Sequence, residues 1–539
     1  NFFQTRAGLY GKSHYYSADT YNEMNPASND TAFLAATSAA LFQSLNQTDP
    51  EAVWVLQGWM FSFGSDFWKA DQIKAYLSSV PASRMIILDM NAYSSEGSEV
   101  WAATDSYYGH NFLWGGVQNG GGRRYMAANL TRITTGPIYA RKTAGSTMVG
   151  LAFVPEGIEQ NPVFYELAFE MGWRSEPVDV RAWVALYATR RYGFESDLAV
   201  SAWHTLAASV YNFTGEDPSI MDFRPSPPAA AAAPLLRHAR STLQPPPSPA
   251  TRLALRANMR TGAADAWRAL VASSTAAAPP ASALYLYDVV DLTRQALANL
   301  FADVATLAQH AYSAGWATSL HTLSATADRV MADLDSVLGT NSGFLLGVWL
   351  SDAAAWSSAI DQESLAFNAR NQITLWGPNE NVLNDYATKE WAGLVLDYHR
   401  PRWALYFQYM NASLSSGKPF DTDGYSAAVQ EFEVQWSTGR QQYPSVPTGS
   451  TVLVAQRLVQ AYAVYPPTAD GGSSLYPQFN CTSADASGSS IVQASTTDPA
   501  QLRLLCAWVA ECCGFTLAGW LKADCTATPG GDGTLCVKV

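Results

Sequence analysis

Cysteine is absent from the first 480 residues of this chain, and charged residues are scarce throughout. Only 15% of the 539 residues are Asp, Glu, Lys or Arg, and acidic residues outnumber basic ones by 46 to 33. The resulting net charge of −13 argues against a general nucleic-acid binder, because such proteins present basic surfaces to phosphate. No run of about 18 strongly apolar residues occurs, so no transmembrane helix is predicted. The apolar fraction of 48% excludes a disordered chain.

Several catalytic motifs are also missing. The sequence contains no Gly-x-Ser-x-Gly nucleophile elbow and no His-Glu-x-x-His zinc helix, and its seven histidines show no ligand spacing. The glycine run 120–122 lacks the Lys-Ser/Thr pair of a phosphate-binding loop, so we interpret it as a flexible loop. Serine-hydrolase, zinc-peptidase and phosphate-loop chemistry are therefore not indicated.

The cysteines and the glycosylation sequons both point to an oxidising secretory route. Six cysteines crowd the C-terminal segment, which buries little core and is predicted to need up to three disulfides. A zinc site is the alternative, although Cys-x2-Cys spacing and a nearby His are lacking. Single sequons arise by chance where Ser, Thr and Asn are common, so their number carries the prediction. The six sequons are at Asn29, Asn46, Asn129, Asn212, Asn411 and Asn480.

The first part of the chain alternates short apolar runs with patterns of helical period. Repeated βα units predict a parallel sheet, and five of them from residue 1 are typical of the later part of a (β/α)8 barrel. The predicted fold class is thus α/β plus all-α, with a partial catalytic barrel over residues 1–165. The predicted strands are Tyr15–Ala18, Val53–Leu56, Met85–Leu88, Phe112–Trp114 and Met148–Val154.

Long amphipathic patterns replace the strand signal from about residue 166. They predict an all-helical domain over residues 166–466, with a Pro/Ala-rich insertion near 224–281. Its solvated parts are predicted at Arg224–Pro249 and Ala276–Ala281, since consecutive prolines cannot lie inside a helix. Residues 467–539 are predicted to form a disulfide-rich tail. The segment Leu505–Thr516 within it loosely resembles PAN/apple-like adhesion modules, and an inert stabilised appendage is the alternative.

Two glutamates follow the first and the last predicted strand, at Glu23 and Glu156. A parallel barrel places its active site at the carboxyl ends of its strands, so the two carboxylates are expected at one pocket. Glycoside hydrolysis needs such a pair, because one carboxyl protonates the leaving oxygen while the other attacks or activates water. Trp59 and Trp114 stand near strand ends and offer faces for sugar rings. The alternative for the two glutamates is that they are carboxylates of turns or helix caps. The alternative for the two tryptophans is that they pack in the core.

Six segments, in order along residues 1–466, carry a resemblance to a known family. The chain resembles the α-N-acetylglucosaminidases of glycoside hydrolase family 89. The resemblance implies a retaining exo-glycosidase on a (β/α)8 barrel followed by an all-helical domain, without a metal or organic cofactor. The matching segments are Tyr16–Met24, Leu56–Phe61, Pro155–Tyr165, Tyr287–Gln295, Leu375–Pro378 and Arg400–Trp403.

The resemblance also assigns roles to single residues. It makes Glu23 the general acid/base and Glu156 the nucleophile. The expected partner is a glycan with a terminal α-linked N-acetylglucosamine, and the expected compartment is lysosomal, vacuolar or extracellular; the natural glycan and the oligomeric state stay open. The substrate-binding positions implied are Asn22, Trp59, Trp114, Asn119 and Trp376, the last closing the pocket from the helical domain.

The chain departs from the family pattern at several points. Gln118 and Tyr93 stand where the family often has His and an acidic residue, and earlier barrel strands have no counterpart. Because the chain also begins at Asn1, without Met or a signal-like stretch, we interpret it as incomplete. Two alternatives follow: a non-catalytic glycan-binding or adhesion protein, and an α-glycosidase of other specificity. Basic residues between Arg123 and Lys142 either form a patch for polyanions or lie on a solvated helix face.

Overall fold

The structure is a computed structural model that divides into two compact units, which are described separately. The first unit holds Asn1–Gly122 and Ala128–Val180, and the second holds Arg123–Ala127, Arg181–His238 and Pro247–Val539. Up to residue 462 the structure describes residues 2–95, 97–122, 125–212, 219–228, 249–275, 282–356, 361–378 and 383–462. In the tail it describes residues 479–482, 485–486, 490–493, 502, 505–506, 508–510, 512, 514–516, 520–522, 527–528 and 535–538.

Five parallel strands form the sheet of the first unit, in the order β1-β2-β3-β4-β5. The strands hydrogen-bond in sequence order, and every connection between them contains helix, as expected for successive βα units. Each of the five predicted strands is confirmed to within two residues. Their bounds are Tyr15–Ser17 (β1), Val53–Gln57 (β2), Met85–Asp89 (β3), Asn111–Gly116 (β4) and Met148–Phe153 (β5).

Side-chain oxygens cap the N-termini of the two longest helices around this sheet. Asp30 accepts the Phe33 N–H at the start of α2, and Asn129 accepts the Arg132 N–H at the start of α7, which satisfies amides without helical partners. The helices of the first unit are Phe2–Tyr10 (α1), Thr31–Thr48 (α2), Trp59–Phe63 (α3), Ala70–Ser78 (α4), Val100–Ala103 (α5), Asp105–Gly109 (α6), Leu130–Lys142 (α7) and Pro162–Glu170 (α8).

The two faces of the sheet differ in burial. In β2 and β3 every second residue is buried beneath the helices, because strand side chains alternate between faces. Trp54 meets the edge of Tyr76 in α4 at 6.0 Å between ring centroids, and Phe112 stacks on Trp101 in α5 at 5.8 Å. On the opposite face, side chains such as Val55 are only half-buried. The helix-side core therefore fixes the sheet and leaves the strand ends to carry a site.

The second unit is helical up to residue 462 in its described residues, as predicted, apart from isolated bridges. Its centre is α12, which is buried along most of its length and packs against α11, α13 and α18. None of the described helices is long and apolar enough to cross a membrane. The helices are Val180–Tyr192 (α9), Asp197–Ala208 (α10), Pro249–Ala272 (α11), Ala283–Ser313 (α12), Ala317–Leu338 (α13), Leu346–Ala355 (α14), Gln362–Gln372 (α15), Arg400–Ser416 (α16), Thr422–Ser437 (α17) and Thr451–Tyr462 (α18).

Helix α11 lies between the two Pro/Ala-rich interruptions predicted at Arg224–Pro249 and Ala276–Ala281. Its side chains Ala263, Trp267 and Leu270 recur at helical spacing and are buried. The Trp267 indole N–H donates to the Thr293 hydroxyl of α12 at 2.8 Å. The stretch between the two interruptions is thus a packed helix of the helical unit. Residues 229–248 and 276–281 of the insertion lie outside the described residues.

A buried ion cluster accounts for the Arg400–Trp403 segment of the sequence. Arg402 is fully buried and donates to the carboxylates of Asp385 at 2.8 Å and Glu433 at 3.1 Å. Its guanidinium also donates to the Asp222 carbonyl at 2.7 Å and lies 4.2 Å from the centroid of the Tyr398 ring. A buried charge is tolerated only when it is paired in this way. The segment therefore supplies a buried, paired guanidinium that links separate parts of the helical unit.

The tail contains short antiparallel strands. A disulfide joins Cys506 to Cys512, and Cys481 lies opposite Cys536 in the register of two neighbouring strands. Cys513 and Cys525 lie outside the described residues. The strands are Phe479–Thr482 (β6), Asp485–Ala486 (β7), Ser490–Gln493 (β8), Gly514–Thr516 (β9), Trp520–Lys522 (β10), Ala527–Thr528 (β11) and Leu535–Lys538 (β12). The sheet order is β6-β12-β9-β10-β8, and β11 pairs with β7.

Candidate active site

The carboxyl ends of the five parallel strands lie along one edge of the sheet, and the loops leaving them carry most of the predicted site residues. Asn22 and Glu23 follow β1, Trp59 follows β2, Asn119 follows β4 and Glu156 follows β5. The topology thus brings both glutamates to the same edge of one sheet. Trp376 belongs to the second unit.

The loop that carries Glu23 is fastened at its base. The Asp19 carboxylate accepts the Gln57 N–H at 3.1 Å, which ties the loop to the end of β2. The Thr20 hydroxyl is hydrogen-bonded to the Tyr76 hydroxyl of α4, and the Trp54 indole N–H donates to the Ala18 carbonyl at 2.7 Å. Sequence reasoning missed Tyr76, because its partner Thr20 lies far away along the chain.

Glu23 itself adopts a left-handed backbone conformation, with a φ of 52°. A non-glycine residue in this region costs about 1–2 kcal/mol, and such strain persists only where the surroundings impose it. Glu23 and its neighbour Asn22 are both exposed. The carboxylate is thus held on a constrained turn and is open to a ligand.

Glycines lock the loop that carries Glu156 against the loop after β4. Gly157 has a φ of 71°, and a Cβ at this position would lie 2.4 Å from the carbonyl carbon of Gly121. Gly122 forms a parallel bridge with Ile158, and a Cβ there would lie 2.2 Å from the Ile158 oxygen. The loop at residues 120–122, which was predicted to be flexible, is therefore held in close backbone contact with the Glu156 loop. A glycine run directly after a strand is the sequence signal that could have revealed this contact.

Amide side chains add to this lock. The Asn161 side chain donates to the Gln118 side-chain oxygen at 3.1 Å, and Gln160 donates to the Glu156 carbonyl at 2.8 Å. The Tyr165 hydroxyl in turn donates to Gln160 at 3.2 Å. Gln118, the residue that departs from the family pattern, thus positions the Glu156 loop. Glu156 is half-buried.

Asn119 is the predicted binding residue with the most telling surroundings. It is buried, with an exposed fraction of 3%, yet its amide nitrogen and oxygen have no hydrogen-bond partner among the described residues. Burying an amide without a hydrogen-bond partner costs free energy, so such groups normally bind a ligand or a water molecule. The arrangement suits recognition of a polar substrate group.

The predicted tryptophans occupy different environments. Trp59 begins α3 directly after β2, is half-buried and stacks on Phe63 at 5.9 Å. Trp376 has a φ of 54° and packs edge-on against Tyr386 at 5.5 Å in the second unit. Trp114 is fully buried on the helix side of β4, where Gly136 leaves room for its ring. Its ring therefore offers no open face to a sugar in this structure.

Tyr93 replaces the acidic residue of the family pattern, and its contacts explain what it does here. Its hydroxyl accepts the Asn129 backbone N–H at 2.7 Å, just before α7. Its own N–H donates to the Gly115 carbonyl at 2.8 Å. Tyr93 thus joins the loop after β3 to β4 and to the start of α7. The departure is a structural contact.

Of the two alternatives for the basic residues between Arg123 and Lys142, the solvated helix face fits Arg141 and Lys142, which are exposed in the last turn of α7. Arg132 is buried and paired with Glu99, and Lys142 pairs with Glu176 at 2.6 Å. Arg123 and Arg124 lie outside the described residues. No group of three His, Cys, Asp or Glu side chains that could hold a metal occurs in the described part of the chain.

Asp89 ends β3 beside the site, and burial raises its pKa from 3.8 to about 6. Because the folded protein binds the proton more tightly, Asp89 destabilises the fold as the pH rises from about 4 to 6, by up to about 3 kcal/mol. We expect Asp89→Asn to flatten the pH dependence of the unfolding free energy between pH 4 and 7.5. Denaturant titrations measure this, with the exposed Asp66→Asn as control. Parallel pH profiles of wild type and Asp89→Asn would contradict the assignment.

Comparison with known proteins identifies the family. Residues 1–175 match the family model described as the α-N-acetylglucosaminidase (NAGLU) TIM-barrel domain, and residues 183–461 match the model of the α-N-acetylglucosaminidase (NAGLU) C-terminal domain. The chain belongs to the α-N-acetylglucosaminidase family. The two matched ranges leave the Cys-rich tail outside.

Relatives and solved structures agree with this membership. The chain is 39% identical to human α-N-acetylglucosaminidase over 456 residues, which is 84% of this chain and 58% of the human protein. It therefore spans less than two thirds of that relative. A family 89 glycoside hydrolase from Clostridium perfringens in complex with PUGNAc superposes with a TM-score of 0.70 at 22% identity, over 86% of this chain and 50% of the other. The same organism's enzyme in complex with its substrate GlcNAc-α-1,4-galactose gives a TM-score of 0.70 at 21% identity, over 85% and 50%. These likenesses confirm the fold: part of a (β/α)8 barrel followed by a helical domain.

Proposed function

We propose that this protein is a retaining exo-glycosidase that removes terminal α-linked N-acetylglucosamine from the non-reducing ends of glycans. The observation that carries the proposal is the placement of Glu23 and Glu156 on two separately fastened loops at one edge of the sheet. Membership of the α-N-acetylglucosaminidase family supports the sugar and the linkage.

The proposed reaction proceeds by two displacements. A Glu156 carboxylate oxygen attacks the anomeric carbon, while Glu23 donates its proton to the departing glycosidic oxygen. The Glu23 carboxylate then takes a proton from water, whose oxygen attacks the anomeric carbon and releases Glu156. The free sugar keeps its α configuration, and both carboxyl groups return to their starting protonation states. The reaction consumes one water and requires no cofactor.

The remaining residues are proposed to hold the terminal sugar. Asn119 offers a buried amide to a polar group, such as the acetamido or a hydroxyl group. Trp59 offers a half-buried ring and Asn22 an exposed amide, both beside strand ends. We propose that Trp376 contributes an aromatic ring to sugar binding, and we assign Trp114 to core packing.

We also infer a secretory route that ends in a lysosomal or vacuolar compartment or outside the cell. The disulfide between Cys506 and Cys512 requires oxidising conditions, and the sequon residues Asn29, Asn46 and Asn212 are exposed. The raised pKa of Asp89 also favours stability at mildly acidic pH.

Hydrolysis of an aryl α-N-acetylglucosaminide tests the proposed activity. We expect release of the aryl group, and NMR of the early product should show the α anomer before mutarotation. First appearance of the β anomer would contradict the double displacement. Faster cleavage of the aryl α-glucoside would contradict the sugar specificity, and glycan binding without turnover would favour a non-catalytic protein.

The hydrogen bond between the Thr20 and Tyr76 hydroxyl groups is predicted to affect catalysis by positioning the Glu23 loop. Tyr76→Phe removes one hydroxyl, so we expect about 1 kcal/mol less stability and a kcat lower by about tenfold, because the Glu23 loop loses one of its three anchoring hydrogen bonds. The exposed Tyr139→Phe is the matched control. Steady-state kinetics and thermal unfolding measure both effects. An unchanged kcat in a destabilised Tyr76→Phe variant would leave Tyr76 with a purely structural role.

A further inference from the structure

A groove in the helical unit lies between α13 and α16. It encloses about 230 Å³, which is below the range of about 300–1,000 Å³ typical of drug-sized ligands and so fits a small group such as a single sugar ring. Its floor is apolar, since Met331, Trp403 and Phe407 are buried side chains. Asp328, Arg400 and Asn411 also line the groove.

The rim of the groove is polar. Arg400 donates to the two Asp328 carboxylate oxygens at 2.6 and 2.8 Å, and both side chains remain partly exposed. Gln408 is exposed beside them. An apolar floor with a rim of donors and acceptors suits a sugar, because a pyranose ring has an apolar face and polar edges.

Asn411 lines the same groove and is the first residue of a sequon. Its amide nitrogen donates one hydrogen to the Phe407 carbonyl at 2.8 Å, and this nitrogen carries a second hydrogen. The Ser413 hydroxyl, which completes the sequon, lies in the core and bonds the Tyr312 hydroxyl at 2.8 Å. A substituent on the Asn411 nitrogen would therefore start at the lining of the groove.

We propose that Asn411 carries an N-linked glycan whose first N-acetylglucosamine lies in this groove. The new bond joins the Asn411 amide nitrogen to the anomeric carbon of that sugar. The bond that breaks joins the carbon to the diphosphate of a lipid-linked oligosaccharide donor, which leaves as the lipid diphosphate while the nitrogen loses one proton. The remaining N–H keeps its bond to the Phe407 carbonyl. The inference concerns the helical unit and does not depend on the proposed hydrolysis.

Native deglycosylation of the full chain, produced in a eukaryotic secretory host, tests the proposal. Peptide:N-glycosidase converts a glycosylated Asn to Asp, and peptide mass spectrometry locates the change. We expect release from the exposed Asn29 in the folded protein, and release from Asn411 at least tenfold more slowly until the protein is denatured. An unmodified Asn411, or equal native rates at the two sites, would overturn the proposal.

Variants distinguish a sugar that lies in the groove from one that is only sterically shielded from the glycosidase. Ala404 is an exposed lining residue, so Ala404→Trp fills the groove and should raise the native release rate at Asn411 to that at Asn29. Asn411→Gln should lower the unfolding temperature of the secreted protein, whereas Asn29→Gln should not. An Ala404→Trp variant with unchanged protection at Asn411 would place the glycan outside the groove.

Discussion

Replacing Glu156 by alanine is expected to lower kcat by at least about 1,000-fold, because no other group can then form the covalent bond to the sugar. The loop is held by backbone contacts of Gly157 and Ile158, so the substitution removes the carboxylate while the fold is kept. Hydrolysis of the aryl α-N-acetylglucosaminide and thermal unfolding of the same preparation measure the two quantities. Glu176→Gln, at an exposed position in the same unit, is the control.

The roles of the two glutamates can be separated chemically. Glu23→Ala should retain activity on substrates with a very good leaving group, since a leaving oxygen of low basicity needs no proton. Azide should rescue this variant and give the α-glycosyl azide, because azide replaces water in the second displacement. With Glu156→Ala, azide should attack the substrate directly and give the β-glycosyl azide. Products of the opposite configuration would reverse the two assignments, and unchanged hydrolysis by Glu156→Ala would remove Glu156 from the reaction.

The sheet could be predicted from the sequence because its strands are short apolar runs between segments of helical period. Met85–Asp89 is typical: five residues, largely aliphatic, between two helical segments. The glutamates could be located because a strand end fixes where its loop begins. These inferences need only local patterns and the rule that parallel strands share one carboxyl edge.

Contacts between distant residues could not be predicted in this way. Trp114 ends the predicted strand Phe112–Trp114, as a sugar-binding residue would, but a shift of one residue decides which face of a sheet a side chain occupies. Its place beneath α7 depends on Gly136, which the strand pattern does not reveal. Arg402 illustrates the same limit, since its partners Asp385 and Glu433 come from separate parts of the helical unit.

Replacing Gly157 by alanine should also lower kcat strongly, although the nucleophile itself stays in the chain. The new Cβ would lie 2.4 Å from the backbone of Gly121, and the φ of 71° is itself unfavourable for alanine. Since backbone atoms cannot rotate away, the Glu156 loop must shift. A displacement of about 1 Å costs about 100-fold in rate, so we expect kcat to fall by at least that factor.

Gly145→Ala distinguishes this close contact from simple backbone strain. Gly145 has a similar φ of 77° and precedes β5, the strand that Glu156 follows, but nothing lies within 4 Å of a Cβ built at this position. We expect Gly145→Ala to lose about 1–2 kcal/mol of stability with an unchanged kcat, as left-handed alanine does elsewhere. Equal losses of kcat in both variants would mean that strain alone acts. A loss of kcat in Gly157→Ala alone would mean that contact between two loop backbones holds the nucleophile in place. The glycine run after β4 would then contribute to the reaction by allowing this contact.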